Sequence, residues 1–251
     1  ELLDLANKYK IPDFQRGYVW KKAQIDRLIE TIGAKRGKYL GNIVILSGSG
    51  GEDYIVDGQQ RLVTISLLCK ILEEKATGTV LKNNIKKLII RDDDPRISFR
   101  DKILNGSFKN IILSGVPDKT KGSVSNNILE AIKYLQKNIF ISNLDSDKKI
   151  KDFFIKIKDL QFVVIKCLNS REVYNLFEGL NSTGVALTSV EKTKNGLFGK
   201  LDELDNTASK SKLKQGKNIW ANVEASFEKT YPFWFNKFLR HQWFLINGKV
   251  S

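Results

Sequence analysis

One histidine, two cysteines and four prolines are all that 251 residues contain of those types. His241 stands among aromatic residues near the C-terminal end, a setting that suits packing better than catalysis. One imidazole and no clustered thiols exclude zinc sites, a Ser-His-Asp triad and histidine-metal nuclease centres within this chain. Cys69 and Cys167 each sit in an apolar segment without a CxxC partner, as buried free thiols do in a reducing cytoplasm. No apolar run is long enough to span a bilayer. The expectation is a cytoplasmic protein with no membrane partner.

Arginine is scarce as well. Lys and Arg total 42 against 28 Asp and Glu, giving a formal charge of +14, yet only 9 of the 42 are Arg. A basic balance suits a polyanionic partner such as DNA, because Lys and Arg neutralise phosphates and release counterions. The even spread of 33 Lys, alongside 19 Asn, fits a compositional habit of the source equally well. The rarity of Arg makes Arg16 and Arg61 conspicuous, each being preceded by Gln.

What is present is concentrated in Tyr54-Ile-Val-Asp-Gly-Gln-Gln-Arg61 and the apolar run that follows. β-Favouring residues lead into Asp57-Gly58, and helical periodicity begins after Arg61, so the stretch reads as strand, tight turn and helix N-terminus. Four polar side chains in such a turn ask for a ligand. With histidine and cysteine chemistry excluded, phosphate handling remains. Asp57 can ligate Mg²⁺ or orient a water, and Gly58 permits close backbone approach. Gln59 and Gln60 can position water or read a base edge, while Arg61 adds charge where the helix dipole already favours an anion. The plainer alternative has Asp57 capping the helix and Arg61 forming a salt bridge.

A second cluster precedes it in Ile11-Pro-Asp-Phe-Gln-Arg-Gly-Tyr-Val-Trp20. Pro12 and Gly17 keep it out of helix, leaving Phe14, Gln15, Arg16, Tyr18 and Trp20 on an extended or looped segment. Interleaved aromatics, amide and guanidinium suit stacking on a base and gripping a phosphate, although aromatics also anchor helices. Between the clusters, periodicity predicts a helix over 21–34 and a strand over 39–46. The glycine-rich 47–51 lacks a following Lys-Ser/Thr and reads as the turn to an antiparallel strand at 54–56. Beyond come a helix at 59–75, a strand at 85–91 and a solvated turn at Asp92-Asp-Asp-Pro95 rather than a cation site. Residues 96–122 are poorly periodic. Helices follow over 124–140 and 148–158, then a buried strand over 161–168. A helix over 170–180 stops at Asn181-Ser-Thr-Gly184, and Thr188-Ser-Val-Glu191 is a capping box for the next helix, which carries Lys194. Asn181 and Thr183 would serve as donors to a phosphate or ribose. Residues 200–217 read as a charged surface loop, and an aromatic-dense helical tail ends the chain.

IPDFQRGYVW, YIVDGQQRLVTI and LFEGLNSTGVALT, followed by KN, resemble the N-terminal domain of GmrSD-type modification-dependent restriction enzymes. Two departures stand out: SVEKTKN replaces the usual Asp-Leu-hydrophobic run, and the HNH nuclease domain that usually follows is not in this sequence. The resemblance implies an α+β fold, a ParB/sulfiredoxin-like mixed sheet with flanking helices followed by a helical region. Its domain would span 1–198 with a helical insertion around 96–159, and 199–251 would open a truncated, aromatic-rich helical subdomain. The implied activity is nucleoside triphosphate hydrolysis with Mg²⁺, coupled to sensing modified DNA in an anti-phage restriction system, with cutting by an HNH domain on the same full-length chain or a partner subunit. Asp57, Gln59, Gln60 and Arg61 match the hydrolysis motif, with Asp57 toward Mg²⁺. Phe14, Gln15, Arg16, Tyr18, Gly58, Asn181, Thr183 and Lys194 fall to nucleotide or DNA binding. A non-catalytic DNA- or nucleotide-binding module is the alternative, and a nuclease a more distant one.

Overall fold

Two periodicities in the sequence give the fold its two kinds of layer: alternating β-branched stretches make a sheet, and stripes at helical spacing cover it. The computed structural model describes residues 8–12, 15, 17–34, 38–48, 52–115, 123–169, 172–173, 215–216, 219–220 and 222–223. In chain order these contain β1 (Tyr9–Ile11), α1 (Lys22–Ala34), β2 (Tyr39–Ser47), β3 (Asp53–Asp57), α2 (Gln59–Lys75), α3 (Thr79–Ile89), β4 (Ile90–Arg91), β5 (Asp94–Pro95), β6 (Ile97–Phe99), α4 (Lys102–Ser114), α5 (Ser123–Lys137), α6 (Ile139–Ser142), α7 (Asp147–Lys158) and β7 (Gln161–Cys167). The chain divides into units 1–166 and 167–251. In the second, the described positions 215–216, 219–220 and 222–223 are helical.

The main sheet is mixed, in the order β6-β1-β3-β2-β7. β1 runs parallel to both β3 and β6, and β2 is antiparallel to β3 with a register shift at Val44/Ile45. The carboxyl ends of three parallel strands therefore share one edge, which in open sheets is where ligands bind. Helix α2 is the central element of the core. From Gln59 to Leu72 every residue except Arg61 is buried, the polar Gln59, Gln60, Thr64, Ser66 and Lys70 included. Amphipathic helices complete the core: α7, against both α2 and α1, buries Ile150, Phe153, Phe154 and Ile157, and α1 buries Ile25, Leu28, Ile29 and Ile32. Cys69 lies inside this core, where burial pushes its thiol up to about 12 and leaves it inert.

The chain departs from the sequence expectation in several places. Residues 85–91 are not a strand: α3 runs to Ile89 and only Ile90–Arg91 pair with β5. Ile85, Leu88 and Ile89 fall on one helical face and are buried together, so period 3.6 overrides β-propensity. The poorly periodic 96–122 contains β6 and α4. Asp101 caps α4 by accepting from Leu104 N at 2.7 Å, and Gly115 closes it at φ 69. The stretch expected as a helical insertion thus begins with a sheet strand. Residues 124–140 break at Asn138, whose side chain starts α6. β7 is an edge strand with Val163 and Val164 exposed, not a buried one. The Asp-rich stretch is the expected turn, with Asp92 and Asp93 left-handed between β4 and β5.

Asp147, first in α7, ties this helix to the α2–α3 turn by accepting from Thr77 N (2.8 Å), Gly78 N (2.7 Å) and Thr77 Oγ1 (3.0 Å). The Thr77 and Gly78 amides hold its carboxyl below the ordinary range. A depressed folded pKa gives stability that is full above the unfolded value and lost as pH falls through the folded one. Urea midpoints of wild type should therefore fall below about pH 4. Asp147→Asn should start lower at neutral pH and lose part of that acid slope; an unchanged slope would remove Asp147 from the account.

Candidate functional site

The site grows from the end of β3. Asp57 closes the strand, Gly58 turns the chain at φ 90, and α2 starts at Gln59 with Leu62 N donating to Gly58 O at 3.1 Å. Gly58, not Asp57, is the N-cap, and no side chain caps the helix. The capping alternative for Asp57 is therefore set aside, and its carboxylate, 45% exposed, stands at the mouth of the turn. An uncapped N-terminus leaves backbone N–H groups and the positive end of the helix dipole for an anion.

Arg61 points away from solvent. Its Nη1 donates to Leu40 O, and its Nη2 to Asn42 O at 2.5 Å and to Asp57 Oδ2 at 3.4 Å. The side chain is only 20% exposed, and desolvation lowers its pKa, with the negative charge of Asp57 opposing that shift. The expected salt bridge thus exists as the longest of three contacts. The carbonyls converge because Gly41 between them has φ +94, and a Cβ there would overlap Arg61 Nη1. Gly58 is constrained less tightly: its Cβ would lie 3.1 Å from Ile43 Cγ1 and 3.4 Å from Arg61 Nη2.

Both glutamines of the turn are buried, Gln59 at 5% and Gln60 at 8% exposure. Gln60 accepts from Val19 N at 2.9 Å and donates Nε2 to Gly17 O at 2.9 Å. It is a staple holding the 17–19 backbone against α2, with one donor and one acceptor site of its amide engaged. Gln59 Nε2 donates to Gln15 Oε1 at 3.2 Å, and Gln15 Nε2 donates to Val56 O at 2.8 Å. The two polar clusters read from sequence are thus one hydrogen-bonded unit, with Gln15 bridging β3 to α2. Tyr18 is 1% exposed, its hydroxyl 2.8 Å from Thr64 Oγ1, and burial raises its pKa to about 12. It is a core anchor and presents no surface to a ligand.

The structure therefore gathers Gln15, Asp57, Gly58, Gln59, Gln60 and Arg61 and buries Tyr18 beside them. Phe14, Arg16, Asn181, Thr183 and Lys194 lie outside the described residues. Among the described residues no group of three or more His, Cys, Asp or Glu is placed to hold a metal. Reading the sequence missed Tyr39, Leu40, Gly41 and Asn42, which wall the turn on the β2 side. The available signal was Gly41, an isolated glycine inside a strand pattern, which marks a bulge or a close approach.

Compared with known families, residues 1–198 match the family model described as GmrSD restriction endonuclease, N-terminal domain. No curated protein matches the chain. No helix among the described residues is long and apolar enough to cross a membrane.

Proposed function

This chain belongs to the GmrSD restriction endonuclease N-terminal domain family, and we propose that it binds and hydrolyses nucleoside triphosphate as the DNA-sensing part of such a system. The observation that supports this is the glycine-turned, side-chain-uncapped start of α2, which carries the exposed carboxylate of Asp57 at the carboxyl edge of parallel strands. The phosphates lie on the helix N-terminus, where fixed N–H dipoles meet their charge. Magnesium arrives with the triphosphate as part of the substrate. A lone exposed carboxylate suits an ion that keeps phosphate oxygens and waters as most of its ligands. Asp57 either contacts that ion or orients the attacking water, and the Gln15–Gln59 amide bridge fixes the wall beside it. Gln60 and Arg61 hold the scaffold on which Asp57 and the helix start are placed.

The +14 balance supplies long-range attraction for DNA, and sensing modified DNA would govern a nuclease domain of the HNH type, on the same full-length chain or a partner, in the cytoplasm. A second reading, a binding module without turnover, is favoured by the hydrogen bonds that tie Gln60 and Arg61 to backbone groups. Phosphate release from GTP, UTP, CTP and ATP with Mg²⁺, with and without DNA, decides between them. We expect release by wild type and a fall of roughly 100-fold or more in Asp57→Ala. Binding without release from any of the four establishes the module, and binding of none overturns both. Metal-dependent plasmid cleavage by the isolated chain that disappears in Asp57→Ala would establish a nuclease instead.

A further inference from the structure

Tyr39, the first residue of β2, is 56% exposed. An exposed aromatic face is a surface that a flat ligand can cover. The other strongly exposed aromatic among the described residues, Phe140, is accounted for by its tilted contact with Phe153 at 5.1 Å between centroids. Tyr54 is likewise accounted for: Arg100 lies over its ring at 5.5 Å, and its hydroxyl donates to Glu52 at 2.6 Å. Tyr39 has no such ring partner among the described residues, yet it is not loose. Its hydroxyl donates to Asn42 Oδ1 at 2.6 Å, across the Gly41 kink. Asn42 in turn touches the site directly, its carbonyl accepting from Arg61 Nη2 at 2.5 Å and standing 3.4 Å from the position of a Gly58 Cβ. An exposed ring pinned by its hydroxyl, one residue link from the turn, has its orientation settled before any ligand arrives. Such pre-organisation matters for stacking, because a rigid aromatic face loses little entropy when a flat ligand covers it.

We propose that Tyr39 stacks on the base of the bound nucleoside triphosphate, with Asn42 fixing the ring, so that β2 supplies the base subsite while the start of α2 takes the phosphates. This inference rests on the nucleotide reading given above and adds the residue that recognises the nucleoside half. The kinked β2 then has two outputs from one glycine. Its carbonyls hold Arg61 on one side, and its flanking side chains hold an aromatic platform on the other. Every base has a π-face, so stacking alone tolerates any of the four; it separates nucleotides from bare polyphosphates rather than one base from another.

The test is calorimetric binding of each ribonucleoside triphosphate and of inorganic tripolyphosphate, all with Mg²⁺, to the whole chain. Wild type, Tyr39→Ala, Tyr39→Trp and Tyr39→Phe are compared. Wild type should bind nucleotide more tightly than tripolyphosphate. Tyr39→Ala should lose roughly 5- to 100-fold in nucleotide affinity and change tripolyphosphate affinity by less than about 2-fold. Tyr39→Trp and Tyr39→Phe, which keep an aromatic ring and lose the hydroxyl tie to Asn42, should both fall between wild type and Tyr39→Ala. Equal losses for both ligands in Tyr39→Ala would make the residue structural and overturn the inference, as would equal wild-type affinities for nucleotide and tripolyphosphate. Loss of DNA retention with nucleotide affinity intact would overturn it too, moving the ring to DNA. In all three cases the nucleotide-binding reading itself stands. Wild type that binds neither ligand removes that reading and the base subsite together.

Discussion

Replacing Arg61 with alanine should cost about 2–4 kcal/mol of folding stability, one of the two largest effects expected of a single change in this domain. The guanidinium joins the first turn of the central helix to two carbonyls of β2, with Asp57 as a third and longer contact. A hydrogen bond to a charged group contributes about 1.5–3 kcal/mol, and an acceptor stranded on its removal costs about 1–3 more. Against this stands the desolvation of the guanidinium, which already lowers its pKa. One relieved desolvation does not offset two lost carbonyl bonds, so the sign is destabilising. Arg61→Lys, whose single ammonium is a point charge and cannot span both carbonyls in a planar fork, should retain roughly half. Urea unfolding followed by circular dichroism reads both variants. If Arg61→Ala unfolds at the wild-type midpoint, the side chain is free to meet a ligand and its structural role is wrong. The expected loss also has a practical meaning. Loss of the proposed hydrolysis in Arg61→Ala would therefore say little about chemistry, whereas Asp57→Ala changes a half-exposed side chain outside the core.

Gly41→Ala should cost as much or more, about 3 kcal/mol, and for two separable reasons. A φ of +94 is a region L-residues enter only with strain of about 1–3 kcal/mol, and the added methyl would also collide with Arg61 Nη1. The second cause disappears when Arg61 is removed. In the Arg61→Ala background the same glycine substitution should therefore cost only the backbone part, leaving a coupling of roughly 1 kcal/mol or more in a double-mutant cycle. Costs that simply add would mean that strand and guanidinium do not constrain one another.

The strand-turn-helix at Asp57-Gly58-Gln59 was legible in the sequence, because glycine between a β-branched run and a helical apolar run has a local cause. What its side chains touch was not. Arg61 reaches Leu40 and Asn42, 21 and 19 residues away, and Gln60 reaches Gly17 and Val19. Those partners exist only once β2, β3 and α2 are packed, and no local pattern encodes that. The same limit produced the error at 85–91, where a Lys-rich helix ending in Leu88 and Ile89 resembles a strand until Ile85, Leu88 and Ile89 find one core. For β7, apolar composition suggested burial, but its place at the sheet edge exposes Val163 and Val164. Tyr39 went unnoticed because an aromatic at the start of a strand is unexceptional until its neighbours are known.

The position of β1 has a consequence for how the domain assembles. Tyr9 lies between Asp53 and Ile97, partners 44 and 88 residues further along the chain. Closing such long loops is slow, and the strand has no complete slot until β3 and β6 both exist. The earliest-synthesised described strand is thus among the last to gain its place, with its amides the last of the sheet to resist pulse-labelled hydrogen exchange during refolding. Gln15, four residues beyond β1, reaches Val56 and Gln59 only after that insertion. A partly made chain therefore carries the turn and the helix but not the wall beside them, and the site comes into being with the final strand.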